Sequence, residues 1–201
     1  MFRLIPVFVG LAGLVFTTGV SAQAVDSELA KYASCAVSNY PSETKRFRRS
    51  DIKLTREKRA ARAFGKSTSE CVNSKRASST PFTYLRAELA RAVFLLDEKL
   101  VARISEVPVE TPTPNLGILP TKDSREILTV KYASCLAKSD PGNALSFVLT
   151  KRGSDAEKAG TSEIDGFVDC MPHMSMMNVS IQSLKDHLAI QLFRIVSEDD
   201  A

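Results

Sequence analysis

The strongest candidate for binding chemistry in this chain is a dense run of cations, the basic tract, which spans residues 45–66. Within these 22 residues only Asp51 and Glu57 carry negative charge, and apolar side chains interleave with the cations. The cations are Lys45, Arg46, Arg48, Arg49, Lys53, Arg56, Lys58, Arg59, Arg62 and Lys66. An amphipathic basic segment suits anionic surfaces such as phospholipid headgroups, lipopolysaccharide or nucleic acid, and we predict no specific nucleic acid as a partner. A solvated face, or docking against an acidic part of the same chain, is the interpretation that we favour from charge patterning alone.

A second candidate site is a cluster of soft ligands in the last third of the chain. Four of the five methionines lie close to one of the two histidines. The cluster comprises Met171, His173, Met174, Met176 and Met177. Thioether and imidazole groups suit Cu(I) or Ag(I), so this is a candidate soft-metal site. The interpretation that we favour is that flexible methionines fill space beneath a loop.

Groups that could perform catalysis are scarce. The only histidines are His173 and His187, and no nucleophile motif surrounds a serine. The helical pattern around His187 predicts that this residue lies on the solvent-facing side of its helix. We therefore predict a non-enzymatic protein without a cofactor.

The sequence contains an internal repeat, which indicates the elements that must position these candidates. The pentapeptide Lys-Tyr-Ala-Ser-Cys occurs at residues 31–35 and again at 131–135. Each copy is followed at the same distances by a proline and a phenylalanine, and later by a second cysteine with a leucine 14 residues after it. These pairs are Pro41 and Pro141, Phe47 and Phe147, Cys71 and Cys170, and Leu85 and Leu184. The sequence therefore predicts two tandem homologous modules.

The four cysteines are expected to form two disulfides, because thiols oxidise in exported proteins. Three pairings are possible, and all of them respect the symmetry of the repeat. We favour Cys35 with Cys71 and Cys135 with Cys170, because a module must have folded before it was duplicated. Each bridge would close a loop of 37 or 36 residues. The chain-entropy model gives about 3.5–4 kcal/mol of stabilisation for each such bridge.

Apolar residues recur at helical spacing in both modules, and no alternating strand pattern is present. The first helices are predicted to begin near Asp26 or Ser27 and near Asp123 or Ser124. Short helices are expected around Phe47 and Phe147, followed by helices over 55–64 and 155–168. The predicted fold class is all-α, with two helical modules that are each stapled by one disulfide.

The last helix of each module has the clearest pattern. In module one it is predicted to begin at Thr80-Pro81 and to run on through Leu100 and Ile104. Five apolar pairs match between the copies: Phe82 and Ile181, Leu85 and Leu184, Leu89 and Leu188, Val93 and Leu192, and Leu96 and Ile195. This matching predicts a core helix in both modules.

Residues 1–24 have the pattern of a secretory signal peptide. Arg3 supplies the positive charge, residues 4–20 the apolar stretch, and small residues at 20–22 or 22–24 a cleavage site. An uncleaved membrane anchor is the alternative, which Pro6 and three glycines disfavour. We predict a periplasmic or secreted protein with no transmembrane segment after cleavage.

A proline-rich linker over residues 107–122 separates module one, residues 25–106, from module two, residues 123–201. Residues 25–106 carry 17 Lys/Arg and 10 Asp/Glu, whereas residues 107–201 carry 9 and 13. The two parts of the chain therefore have opposite net charge. We expect a monomer.

Several of these motifs together resemble a known group of proteins. They are the signal peptide, the paired Tyr-Ala-Ser-Cys segments, the second cysteines and the Leu-Arg/Lys-x-x-Leu-Ala motifs at Leu85–Ala90 and Leu184–Ala189. Over most of residues 26–196 the chain resembles small exported tandem-module helical proteins of alphaproteobacteria, particularly sphingomonads. The resemblance implies a periplasmic or secreted location and no particular activity.

The sequence therefore predicts a non-enzymatic exported binding or structural protein. Its expected partner is an anionic envelope surface, or another protein, contacted through the basic tract. Soft-metal binding at residues 171–177, or carriage of a small apolar ligand between helices, is the alternative function.

Overall fold

The structure of this protein, a computed structural model, describes residues 20–49, 57–72, 74–112, 124–164, 168–170 and 180–198. The described residues form ten α-helices and no strand, which confirms the all-α prediction for this part of the chain. The helices are α1 Val20–Asn39, α2 Pro41–Arg49, α3 Glu57–Ser67, α4 Ser74–Ser79, α5 Phe82–Leu96, α6 Glu98–Ile104, α7 Ser124–Ser139, α8 Pro141–Leu149, α9 Asp155–Glu163 and α10 Ile181–Glu198.

Proline and short polar side chains determine where several helices begin. Pro41 and Pro141 open α2 and α8, because proline suits a first turn whose amides have no intrahelical partner. The carboxylate of Asp140 accepts a hydrogen bond from the amide of Asn143 at 3.1 Å and so caps α8. The hydroxyl of Ser180 caps α10 in the same way.

Several predicted helix features differ from the structure, and among them α3 continues to Ser67 and does not end at residue 64. α1 begins at Val20, so the predicted start near Asp26 or Ser27 lies inside a helix that extends further upstream. α9 ends at Glu163 and does not reach residue 168, because Ile164 adopts an extended conformation. The predicted long helix of module one ends at Leu96, and α4 was not predicted at all.

The end of α5 has a local cause in the sequence. Asp97 has φ −122° and ψ 89°, and its carboxylate accepts a hydrogen bond from the amide of Leu100 at 3.1 Å. An aspartate in this arrangement caps a new helix, so α6 begins at Glu98. The apolar periodicity continues through Leu100 and Ile104, which are both buried, although the helix axis is interrupted.

α5 joins the two apolar cores of the molecule. One core includes residues of α1–α5, and the other includes residues of α5–α8 and α10 together with Ile164 and Cys170. Leu85 and Leu89 of α5 belong to the first core, whereas Val93 and Phe94 belong to the second. α5 packs against α1 and α10, and α10 packs in turn against α7. The two parts of the chain therefore share a continuous packed interior.

The five matched apolar pairs are buried except near the helix ends. Leu96 is 52% exposed at the end of α5, and Ile181 is 42% exposed at the start of α10. Their positions at the helix ends leave fewer neighbours to cover them. The prediction of a core helix is therefore confirmed for the middle of both helices and is wrong for these two residues.

Both favoured disulfides are present, since Cys35 is bonded to Cys71 and Cys135 to Cys170. Tyr32 and Tyr132 are buried one helical turn before the first cysteine of each pair. The hydroxyl of Tyr32 is hydrogen-bonded to that of Thr68 at 2.5 Å, which ties α1 to the segment preceding Cys71.

Candidate functional site

Five cations of the basic tract are exposed on α2 and α3. We call this set the basic face; it consists of Lys45, Arg46, Arg59, Arg62 and Lys66. The three cations of α3 recur at spacings of three and four residues, so they lie along one side of the helix. The rings of Phe47 and Phe64 stack with centroids 4.4 Å apart and hold α2 beside α3.

Arg48 belongs to the predicted anion-binding set but does not lie on the basic face. It is 8% exposed, and its guanidinium carbon lies 3.8 Å from the ring centroid of Phe193 in α10. Its Nε donates to the carbonyl oxygen of Thr44 at 3.3 Å. The position of Arg48 corresponds to the alternative prediction, docking against the other half of the chain. The side chains of Arg49, Lys53, Arg56 and Lys58 lie outside the described residues.

A cleft of about 400 Å³ opens between α2 and α3 beside the basic face. It is lined by Glu43, Arg46, Phe47, Ala60, Ala63, Phe64 and Ser67. The lining residues of α3 recur at helical spacing, as do those of α2, so one side of each helix forms a wall. Most of the wall is apolar, and the polar side chains include one cation and one carboxylate.

A buried ionic cluster connects α5, the loop between α8 and α9, and α10. Arg152 lies at its centre: its Nη2 is 3.0 Å from Glu88 Oε1, and it also donates to the carboxylate of Asp186. The same guanidinium lies 4.4 Å from the ring centroid of Tyr84. Arg91 bonds Glu88 at 2.9 Å and the carbonyl oxygen of Thr150 at 3.0 Å. These contacts bridge residues from both halves of the sequence.

A second ion pair adjoins the cluster. Lys185 Nζ lies 2.7 Å from Glu157 Oε1, and the lysine side chain is fully buried. Lys185 also donates to the carbonyl oxygen of Thr150 at 2.6 Å. Glu157 accepts further hydrogen bonds from the amide of Gly153 and the side chain of Gln182, both at 2.7 Å. Each buried charge therefore has several partners, as the cost of desolvation requires.

Burial and neighbouring charges shift several pKa values in this region. Burial raises the pKa of Asp186 to about 7, and the carboxylate of Glu88 adds to the rise, while Arg152 opposes it. Burial would raise the pKa of Glu157, but hydrogen bonds from Lys185 and Gly153 outweigh it and lower the pKa. Burial also lowers the pKa of Lys185, which Glu157 partly offsets. The arrangement joins helices through opposite charges, with every carboxylate held by a cation.

His187 was predicted to face solvent, and this prediction is wrong. The residue is 7% exposed, because α10 packs against α5 as well as α7 and is covered on more than one side. Burial, together with the positive charge of Arg86, lowers the pKa of His187 to about 4. The imidazole is therefore neutral at physiological pH.

The predicted soft-metal site at Met171, His173, Met174, Met176 and Met177 lies outside the described residues. Within the described part of the chain, no group of three or more His, Cys, Asp or Glu side chains could hold a metal ion. None of the helices in that same part is both long and apolar enough to cross a bilayer.

The ionic cluster was missed by sequence reasoning, although one signal for it was present. Arg86 and Lys185 occupy the same position of the repeated Leu-Arg/Lys-x-x-Leu-Ala motif, and both are buried. Arg86 donates to the carbonyl oxygen of Arg48 near the end of α2, as Lys185 does to that of Thr150 after α8. A cation repeated inside an apolar motif indicates a buried role. Asp186 and Glu88 carry no comparable signal, because neither residue type recurs in the other copy.

Comparison with known proteins gave no match: no family model matches this chain, and no curated protein or solved structure is significantly similar to it.

Proposed function

We propose that this protein is an exported, non-enzymatic binding protein that attaches to anionic envelope surfaces through its basic face. The observation that carries the proposal is the exposure of five cations on two helices that lie side by side. Clustered cations on a rigid surface are attracted to anionic lipid headgroups over a Debye length, and the attraction increases with the number of charges.

Vesicle binding tests this function. The mature protein is expected to sediment with vesicles that contain phosphatidylglycerol, and not with pure phosphatidylcholine vesicles. Replacing Lys45, Arg46, Arg59 and Arg62 together by Gln should weaken binding by roughly fivefold for each cation. Arg48 is left unchanged, because its buried contact with Phe193 makes it part of the fold.

The matched control removes the same charge from elsewhere. Lys31, Lys99, Lys131 and Lys151 are all exposed and lie outside the basic face. Replacing these four by Gln should weaken vesicle binding far less than the basic-face variant does. Equal losses in the two variants would assign binding to net charge, and absence of binding by the parent protein would contradict the proposal.

We also propose that the protein acts in the periplasm or outside the cell, after removal of residues 1–24. Two disulfides support this location, because disulfides persist in oxidising compartments. Intact-mass measurement on protein recovered from the periplasm should give the processed polypeptide less four hydrogens. Recovery of the unprocessed mass from a membrane fraction would contradict this part of the proposal.

We infer further that the two halves arose by duplication. In support, the disulfides lie at matching positions of the repeat, and Arg86 and Lys185 each donate to a carbonyl at the end of α2 or α8. Arg86→Met and Lys185→Met should therefore speed amide exchange at the ends of α2 and α8, respectively. A change in only one of the two variants would argue against the shared role.

A further inference from the structure

We propose that the cleft between α2 and α3 binds the single acyl chain of an anionic amphiphile, such as a fatty acid. The inference rests on the proposed function, since it requires the basic face to attract anions. It adds a ligand of defined chemistry: an apolar chain inside the cleft and a carboxylate at its mouth.

The walls of the cleft suit a hydrocarbon chain. Phe47 and Phe64, which are buried and form a stacked pair, line the cleft. Ala60 and Ala63 complete the wall on α3 without filling the space. The volume of about 400 Å³ lies near the lower end of the range for small-molecule sites, roughly 300–1,000 Å³. A site of this size suits one acyl chain better than the two chains of a phospholipid.

The charges around the cleft favour an anionic head group. Arg46 lines the mouth, and Arg59, Arg62 and Lys66 are exposed on the same helix as the alanine wall. One group opposes this arrangement, because Glu43 also lines the cleft. The lining itself carries one cation and one carboxylate, and the exposed cations of α3 add positive charge to this helix pair, so a carboxylate head group is attracted on balance.

The corresponding helices of the second half, α8 and α9, are in close contact at Gly160 and Phe147. A Cβ added at Gly160 of α9 would lie 2.9 Å from Cδ2 of Phe147 in α8, so these helices are in close contact there. In the first half the stacked phenylalanines lie beside an open cleft, and the basic tract also belongs to this half. The cleft and the basic tract therefore both belong to the first half of the chain.

Calorimetric titration with saturated fatty acids from octanoate to hexadecanoate, below their aggregation concentrations, tests the inference. Affinity should rise about fourfold for each added methylene and then level off once the cleft is full. Replacing exposed Ala63 by Phe should lower dodecanoate affinity by about tenfold or more, because the ring occupies the space of several methylenes. Ala159→Phe places the same ring on an exposed site of α9 and should have no effect.

The two ionic residues at the mouth provide a test of sign. Arg46→Gln should weaken dodecanoate binding and Glu43→Gln should strengthen it, each by about fivefold or less. For the dodecyltrimethylammonium cation the effects should be reversed: Arg46→Gln should strengthen binding and Glu43→Gln should weaken it. If Ala63→Phe alters the far-ultraviolet circular dichroism, Ala63→Glu replaces it, since a carboxylate in the wall should also repel the ligand.

The possible outcomes separate this inference from the proposed function. Vesicle binding without dodecanoate binding would overturn the inference and leave the function in place. Dodecanoate binding without vesicle binding would support the cleft and overturn the surface function. If fatty-acid affinity keeps rising with chain length and is unchanged by Ala63→Phe, binding is nonspecific partition, and this result would overturn the inference. A dimer that Ala63→Phe dissociates would assign the cleft to a second copy of the chain, which would also overturn it.

Discussion

The guanidinium of Arg48 stacks on the ring of Phe193, with its central carbon 3.8 Å from the ring centroid. Arg48 lies in α2, close to the start of the described chain, and Phe193 lies in α10, close to its end. Both side chains are buried, so the interaction is little screened by solvent and contributes about 2 kcal/mol. The basic tract thus contains cations of two kinds, one that joins helices and others that face solvent.

This difference predicts opposite results for two similar substitutions. Arg48→Gln should lower the free energy of unfolding in urea by about 2 kcal/mol, because it removes the contact with Phe193. Arg59→Gln should change that free energy by about 0.5 kcal/mol or less, because Arg59 is exposed. Equal, small effects of the two substitutions would show that the Arg48 contact contributes little.

Because Lys185 and Glu157 form a buried ion pair, we expect the loss of stability in the double variant to be smaller than the sum of the losses in the two single variants. Lys185→Met should destabilise the protein by about 3–5 kcal/mol, because it leaves the buried carboxylate of Glu157 without its cation. Adding Glu157→Gln should recover part of this loss, since no uncompensated charge then remains. Urea denaturation of the two single variants and the double variant measures the coupling, and additive losses would contradict the prediction.

An exposed pair in the same region serves as the control. Lys158 and Asp155 are separated by 3.0 Å, but their side chains are 69% and 100% exposed. Solvent screens such a pair, so Lys158→Met should leave the unfolding transition almost unchanged.

Asp186 and His187 are adjacent, and we expect them to have opposite effects on how the folding stability depends on pH. Between about pH 4 and pH 6.5 the unfolded chain protonates His187 and the folded chain does not, so this residue makes stability rise with pH. Between pH 3.8 and about pH 7 the folded chain holds a proton on Asp186 that the unfolded chain has lost, so stability falls with pH. The two contributions therefore offset each other in the parent protein.

Replacing either side chain should leave the contribution of the other to the pH dependence of stability visible. Asp186→Asn should give stability that rises by up to about 1.4 kcal/mol per pH unit over about pH 5–6.5, the contribution of His187. His187→Gln should give stability that falls with pH over the same window. Urea denaturation at several pH values measures both slopes, and slopes of the same sign in the two variants would refute this balance of charges.

Two glycines predict opposite responses to alanine. Gly160→Ala should destabilise the protein by about 1–3 kcal/mol, because the new Cβ would lie 2.9 Å from the buried ring of Phe147. Gly142 lies in α8 with no atom within 4 Å of an added Cβ. Gly142→Ala should therefore stabilise the helix by about 0.5–1 kcal/mol. Thermal unfolding distinguishes the two, and Phe147→Leu should relieve part of the Gly160→Ala loss.

Local signals in the sequence predicted most of the helices. Proline at the start of α2 and α8, and apolar spacing along α5 and α10, act within a few residues of where they occur. The break at Asp97 was missed although its cause is local, because the apolar pattern continues across it. The end of α9 at Glu163 was missed for a different reason, since helical propensity alone does not mark where a chain turns toward a disulfide.

The sequence by itself determined the all-α class, because periodicity can be read along the chain. It also favoured the correct disulfide pairing, because a module of the internal repeat must have folded before it was duplicated. Only the tertiary structure decided which cations are exposed, since Arg48 and Arg59 belong to the same basic tract. The tertiary structure also joined Arg152 to Glu88, 64 residues away, and placed His187 among packed helices. Burial and ionic contacts of this kind depend on residues that folding brings together from distant parts of the chain. Their energies, and the cleft between α2 and α3, therefore follow from packing in three dimensions.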